Sequence, residues 1–294
     1  MSDSPSKYDA DVQGGQGTVI GEHNIIYQYF QAHTGLAKRH ISFVSLIADK
    51  TEGFVGRQFV FDALDGFLQE NQSGYFVIQG EPGIGKTALM AQLVKMRGYP
   101  HHFNVAPQNI RTPRQFLANA CAQIIARYDL PHQFLPDDAT EDSSFLVQCL
   151  EEAAAKRQNR PVVLVVDALD ESERLGLPPR VNSLYLPPSL PEGAYVVVTS
   201  RPLDDLKLFV AHSQSLFLES DSANNLLDIR TYIENYLQTN ASLRERLTQW
   251  QVAEEDFIEA LVQKSEGNFI YLHYILPAIA AGKFQRGTVD ELPQ

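Results

Sequence analysis

The chain has 294 residues, enough for one large α/β unit or for a medium unit plus a small one, each burying its own core. Against 24 basic side chains stand 36 acidic ones, a net charge of −12, which excludes a protein whose main task is to coat nucleic acid or an anionic membrane. The two cysteines, Cys121 and Cys149, lie on apolar stripes of helical spacing and are expected as buried free thiols in a reducing compartment.

Residues 1–40 are expected as a flexible N-terminal segment. Met1 to Ser6 lacks the basic-then-apolar order of a signal peptide, and the sequence has no run of about 18 apolar residues, so no membrane span and a cytoplasmic location are expected. Within this segment residues 16–31 are β-prone, with β-branched and aromatic residues on both sides of a turn at Gly21 to Asn24. That stretch reads as a linker that pairs locally, as a self-assembling segment with the low charge and absent proline of stacking strands, or as an accident of a short window.

Between Thr34 and Glu52 the pattern weakens to a connector. Gly53 to Arg57 then leads into Phe59, Phe61, Leu64 and Leu68 at helical spacing. An apolar strand from Tyr75 runs into Gly80-Glu-Pro-Gly-Ile-Gly-Lys-Thr87, which fits G-x-x-x-x-G-K-[ST], and a helical pattern on Leu89, Leu93 and Met96 follows at once. The order strand, glycine loop, lysine, helix is what a phosphate cradle requires. Glycines let backbone N–H groups close on phosphate oxygens, and the helix N-terminus adds its positive dipole end. Gly80, Gly83, Ile84, Gly85, Lys86, Thr87 and Ala88 are therefore candidate ATP/ADP-binding residues, with Lys86 for the β- and γ-phosphates and the Thr87 hydroxyl for Mg²⁺.

His101 to Ala106 reads as a short strand whose adjacent histidines face opposite sides and make a poor metal site. Thr112-Pro113 opens a helix reaching about Arg127, and a further helix covers about 143–157. Val162 to Asp167 and Ala194 to Ser200 are uninterrupted apolar runs of the kind found in a parallel sheet covered on both faces, and Ser215 to Glu219 is a fifth strand. Asp167, at a strand's carboxyl end, is the second candidate Mg²⁺ ligand beside Thr87. Asp170 or Glu171 could orient an attacking water, and Arg201 in Thr199-Ser-Arg-Pro202 could sense γ-phosphate charge. These three are the candidate catalytic residues. The plainer reading of the acidic cluster is a solvated loop, and of Arg201 a surface arginine near a turn.

The predicted fold is α/β, a parallel doubly wound five-stranded sheet of the P-loop NTPase kind over residues 41–220. A small all-helical domain over 221–294 would follow it, with helices near 224–238, 253–264 and 269–281.

The ordered set Val55-Gly-Arg57, Gly80 to Thr87, Asp167-Ala-Leu-Asp-Glu171, Thr199 to Pro202 and Gly267-Asn-Phe-Ile270 resembles the STAND-class P-loop NTPases. It is most similar to their NACHT (NLR-like) branch, through the small Ala168 after the aspartate and the acidic Asp170 beyond it. The resemblance implies an ATP/ADP-controlled signalling switch with slow Mg²⁺-dependent hydrolysis, homo-oligomeric with ATP and acting with an effector or sensor protein in a defence or cell-death pathway. It places Val55 and Arg57 near the adenine and phosphates and makes Arg201 the sensor arginine. Phe269 stands where related proteins often carry a proline against the base, and the sequence stops near where the family usually continues into winged-helix and repeat regions. Two other classes compete with the switch: a self-assembling interaction protein built on residues 16–31, and an AAA-type ATPase with steady turnover.

Overall fold

A computed structural model describes residues 34–157, 160–173, 180–202 and 208–284. The β-prone stretch at 16–31 lies outside them.

The described elements, in chain order, begin with three helices: α1 (Thr34–Ala37), α2 (Val44–Thr51) and α3 (Gln58–Glu70). Strand β1 (Gly74–Gly80), helix α4 (Lys86–Arg97), strand β2 (His101–Phe103) and helices α5 (Pro113–Tyr128) and α6 (Ser144–Arg157) follow. Next come β3 (Val162–Asp167), β4 (Ala194–Ser200) and β5 (Ser213–Leu218), then α7 (Ala223–Thr239), α8 (Ala241–Trp250), α9 (Glu254–Lys264) and α10 (Phe269–Ala280). Short 3₁₀ turns cover Ala106–Gln108, Leu169–Glu171 and Ser183–Tyr185.

The five strands form one parallel sheet in the order β2-β3-β4-β1-β5. Its apolar runs are explained by burial on both faces. Tyr75, Val77, Leu164, Val166, Val196 and Val198 point to the face covered by α5 and α6. Phe76, Ile78, Val163, Val165, Tyr195 and Val197 point to the face covered by α2, α3 and α4. Alternation along each strand divides the core into two layers, so neither face tolerates charge. The α/β doubly wound fold read from the sequence is therefore the observed one, followed by a helical region with its own core of Ile229, Ile233, Leu243, Phe257, Leu261 and Leu276.

Local chemistry sets the helix boundaries. At α5, the Thr112 hydroxyl accepts from the Gln115 N–H while the Gln115 side chain accepts from the Thr112 N–H, with Pro113 at the first position. Such a box contributes about 1 kcal/mol. Cys121 and Cys149 are buried free thiols in the layer between α5, α6 and the sheet.

Several expectations are corrected. The connector at 34–52 holds α1 and α2, and Phe43 and Ile47 pack into the sheet's core. On α3 the expected Phe61 and Leu64 are buried and Phe59 and Leu68 pack half-buried against the same core, while Val60 and Phe67 widen the stripe beyond the four expected. On α4, Met96 is exposed while Met90 and Val94 are inside, because the sheet covers a wider arc of the helix than one i, i+4 row. Helix α8, with only Leu243 and Leu247 buried, has too narrow an apolar stripe to stand out by periodicity. His101 and His102 are both buried against Phe43, and burial pushes the His102 imidazole down to about 3.

Candidate functional site

The loop between β1 and α4 carries two residues in the left-handed region, Gly83 (φ 88°) and Gly85 (φ 96°). A side chain at Gly83 would meet the Asn268 amide at 2.3 Å, so this turn tolerates glycine for reasons of space as well as conformation. Ile84 between them is buried and anchors the loop to the core. Lys86 and Thr87 are the first residues of α4, with their N–H groups among the helix donors that have no intrahelical partner. The Lys86 ammonium donates to the Gly80 carbonyl (2.5 Å) and the Glu81 carbonyl (2.9 Å). Burial pulls its pKa down, opposed first by Asp170 and then by Asp167.

Two strands away, Asp167 closes β3 at 2% exposure. Its Oδ2 accepts from the Thr87 hydroxyl (2.8 Å) and its Oδ1 from the Thr199 hydroxyl (2.5 Å). Thr199 in turn accepts from the Ala168 N–H at 2.8 Å. Strand β4, which sits between β1 and β3, thus links the lysine–threonine helix to the acidic strand end. Below it, Asn104 closes the backbone with a 2.8 Å bond from its side-chain amide to the Asp167 carbonyl.

Ala168 lies at φ 53°, ψ 54°. A left-handed alanine costs about 1 kcal/mol, and a β-branched residue more, which gives a physical reason for a small residue there. The reversal tucks Leu169 into the core and brings Asp170 and Glu171 back over the site. Asp170 faces Arg201 (Nε to Oδ2, 2.9 Å) and also accepts the Arg201 N–H at 3.1 Å. Glu171 is held more loosely, accepting from the Ala106 N–H at 3.4 Å and lying 4.0 Å from the Arg201 guanidinium. Four of the expected groups, Lys86, Asp167, Asp170 and Arg201, therefore interact electrostatically at one end of the sheet.

Arg57 sits on the other side of the loop, and Val55, two residues before it, is half-buried. Arg57 is 2% exposed, donates from Nη2 to the Ile84 carbonyl at 2.5 Å, and its guanidinium lies 5.0 Å from the Phe269 ring centre. Its Nη1 has no hydrogen-bond partner among the described residues. The first turn of α10 closes over the loop, where the Phe269 N–H donates to the Gly83 carbonyl at 3.1 Å. Thr199, Asn104, Asn225 and Asp228 were not singled out as site residues by sequence reasoning. Thr199 stood inside a noted motif, but polar residues on a buried helix stripe, such as Asn225 and Asp228, are invisible to an apolar-periodicity reading.

Burial dominates at Asp167 and pushes its carboxyl up from 3.8 to about 6, against the pull of the Thr199 and Thr87 hydroxyls and Lys86. An acid whose pKa is raised on folding lends stability in full below its unfolded value and loses it as pH rises through its folded value. Ionising Asp167 above pH 6 thus costs about 3 kcal/mol. Asp167→Asn, in chelator, should therefore melt higher than the wild type at pH 8, with the gap narrowing as the pH falls below 6. The Thr87 hydroxyl can rotate to accept from the new amide. Melting curves across pH 5–8 with a constant gap would contradict this account.

The residues fit a nucleotide with a divalent cation. The loop's glycines take the left-handed turns that a phosphate cradle uses, Lys86 supplies a cation, Arg57 has an unsatisfied donor, and Thr87 with Asp167 forms an all-oxygen pair of the hard kind Mg²⁺ prefers. The fold is of the P-loop NTPase kind. Residues 53–184 match the family model of an AAA ATPase domain, from the segment before α3 to the 3₁₀ turn that precedes β4. This segment is thus similar to AAA-type P-loop NTPases, a broader class than the NACHT-type resemblance read from the motifs. No curated protein matches the sequence. Among the described residues, no helix is long and apolar enough to cross a membrane.

Proposed function

We propose that the chain is an ATP/ADP-controlled switch of the NACHT type, in which slow Mg²⁺-dependent hydrolysis resets a conformational change that drives self-association. The observation that carries this reading is the seam between the phosphate loop and the helical region. The Phe269 N–H bonds the loop carbonyl of Gly83, and Arg57 is wedged between the loop and the Phe269 ring. A helical region bonded to the loop feels changes in the loop directly, which suits a switch better than a site isolated from its surroundings.

In this mechanism Lys86 and the N-terminus of α4 hold the β- and γ-phosphates, and Thr87 and Asp167 hold Mg²⁺. The cation supplies charge neutralisation for the phosphate oxygens. Asp170 is occupied twice over by Arg201 and acts as that arginine's positioner, while Glu171, less committed, orients the water. Arg201 senses the γ-phosphate. Val55 lies with Arg57 at the base and phosphate side. The partners are nucleotide, further copies of the chain and an effector or sensor protein, in a cytoplasmic defence-type pathway, with residues 41–220 as the nucleotide domain and 221–294 as the helical domain.

The match to an AAA ATPase domain favours a second reading, an ATPase with steady turnover. Light-scattering mass measured with ADP and with a non-hydrolysable ATP analogue separates the two. The switch requires a larger mass with the ATP analogue. Identical mass across a concentration series, combined with fast turnover that Lys86→Ala abolishes, would replace it with the steady ATPase.

A further inference from the structure

Helix α7 presents Asn225, Asp228 and Tyr232 on one stripe, and the three contact Gly267, Arg57 and Phe269 in turn. Asn225 donates to the Ser220 carbonyl (2.6 Å) and the Gly267 carbonyl (3.0 Å), holding the turn that leads to Phe269. Tyr232 packs edge-on against the Phe269 ring, with centroids 5.8 Å apart. Asp228 reaches the segment before α3, where its Oδ2 accepts the Arg57 N–H at 3.0 Å and lies 3.8 Å from the Arg57 Nε.

The local backbone shows what that contact does. Gly56 (φ 69°) and Arg57 (φ 63°) are consecutive left-handed residues, an unfavourable conformation for arginine. A Cβ at Gly56 would fall 1.9 Å from the Asp228 carboxylate, so the carboxylate is seated directly against this turn. Arg57 then directs its guanidinium to the Ile84 carbonyl, leaving the buried Nη1 without a partner among the described residues, beside the phosphate loop. A strained turn persists only when its surroundings hold it, and here the acceptor that holds it comes from the helical region.

We propose, on the footing of the nucleotide-binding reading above, that Asp228 is a positioning residue for the nucleotide. It accepts the Arg57 N–H, fixes the left-handed turn and so aims the remaining guanidinium N–H at a bound phosphate or base. The site on the sheet is completed by a carboxylate from the helical region. Asp228 need not touch the nucleotide; it acts through Arg57.

The test is equilibrium binding of fluorescently labelled ADP to the full chain, well below the melting temperature of every variant. Asp228→Ala should weaken binding about tenfold, while Asp228→Asn, which keeps an acceptor for the Arg57 N–H, should stay within about threefold of wild type. In an Arg57→Met background, Asp228→Ala should change affinity by less than about twofold, since there is no guanidinium left to misplace. If the alanine variant does not fold, Asp228→Ser replaces it, a shorter side chain that withdraws the acceptor.

Three results would each overturn the proposal: an equal loss in both backgrounds, an asparagine variant as weak as alanine, or a lowered melting temperature with unchanged affinity. Wild-type protein that binds no ADP at all would refute the nucleotide reading itself and this proposal with it. Binding by the wild type that is indifferent to Asp228 would reject the positioning role alone.

Discussion

Lys86→Ala is expected to lower nucleotide affinity on the order of 100-fold, the loss of a charge-assisted contact to phosphate in a partly desolvated site. The magnitude follows from the surroundings. Lys86 is the first residue of α4, its ammonium is held between the Gly80 and Glu81 carbonyls, and burial already weighs against its charge. A phosphate is a better partner than two carbonyls for such a group, so removing it forfeits most of the binding free energy of the phosphate end. The fold should survive, because the packing of α4 rests on Leu89, Met90, Leu93 and Val94. Calorimetric titration with ADP checks the prediction, and an affinity within threefold of wild type would mean that the loop's backbone, not its lysine, binds the phosphates.

Glu171→Gln should leave nucleotide affinity within about threefold while slowing single-turnover hydrolysis by about 100-fold or more, the usual scale for a positioned catalytic group. Asp170→Asn should behave differently, because the Asp170 side chain is 6% exposed and spends its oxygens on Arg201, whereas that of Glu171 is 34% exposed with two long contacts. The asparagine variant releases the arginine, and its defect should be mimicked by Arg201→Met and not add to it. A Glu171→Gln enzyme that hydrolyses normally beside a dead Asp170→Asn enzyme would exchange the two roles.

The parts of this molecule legible from sequence are those where one physical demand acts on consecutive residues. Strands β1, β3 and β4 are buried on both faces and read as unbroken apolar runs, and the glycine loop is bracketed by strand and helix. Thr112 and Pro113 marked the start of α5 because capping is local. Strand order was beyond reach, since nothing in an apolar run such as Ala194 to Ser200 tells which neighbour the strand pairs with; here β4 enters between β1 and β3. Helices α1, α2 and α8 escaped notice because they are short and bury few side chains. Among site groups, Lys86, Thr87, Asp167 and Arg201 carry their chemistry in motifs. Thr199 and Asp228 matter through partners distant in sequence, which only the folded chain brings together.

The placement of β4 has a mechanical corollary. It is paired to β1 from Tyr195 to Ser200 and to β3 from Ala194 to Val198, so its register is locked on both edges. The spacing between the lysine loop and the acidic strand end is therefore set by a ruler of backbone hydrogen bonds rather than by the length of any loop. Evolution or an engineer can lengthen the connections around the sheet with little penalty. A single residue inserted into β4 would invert its faces and separate Thr199 from Asp167.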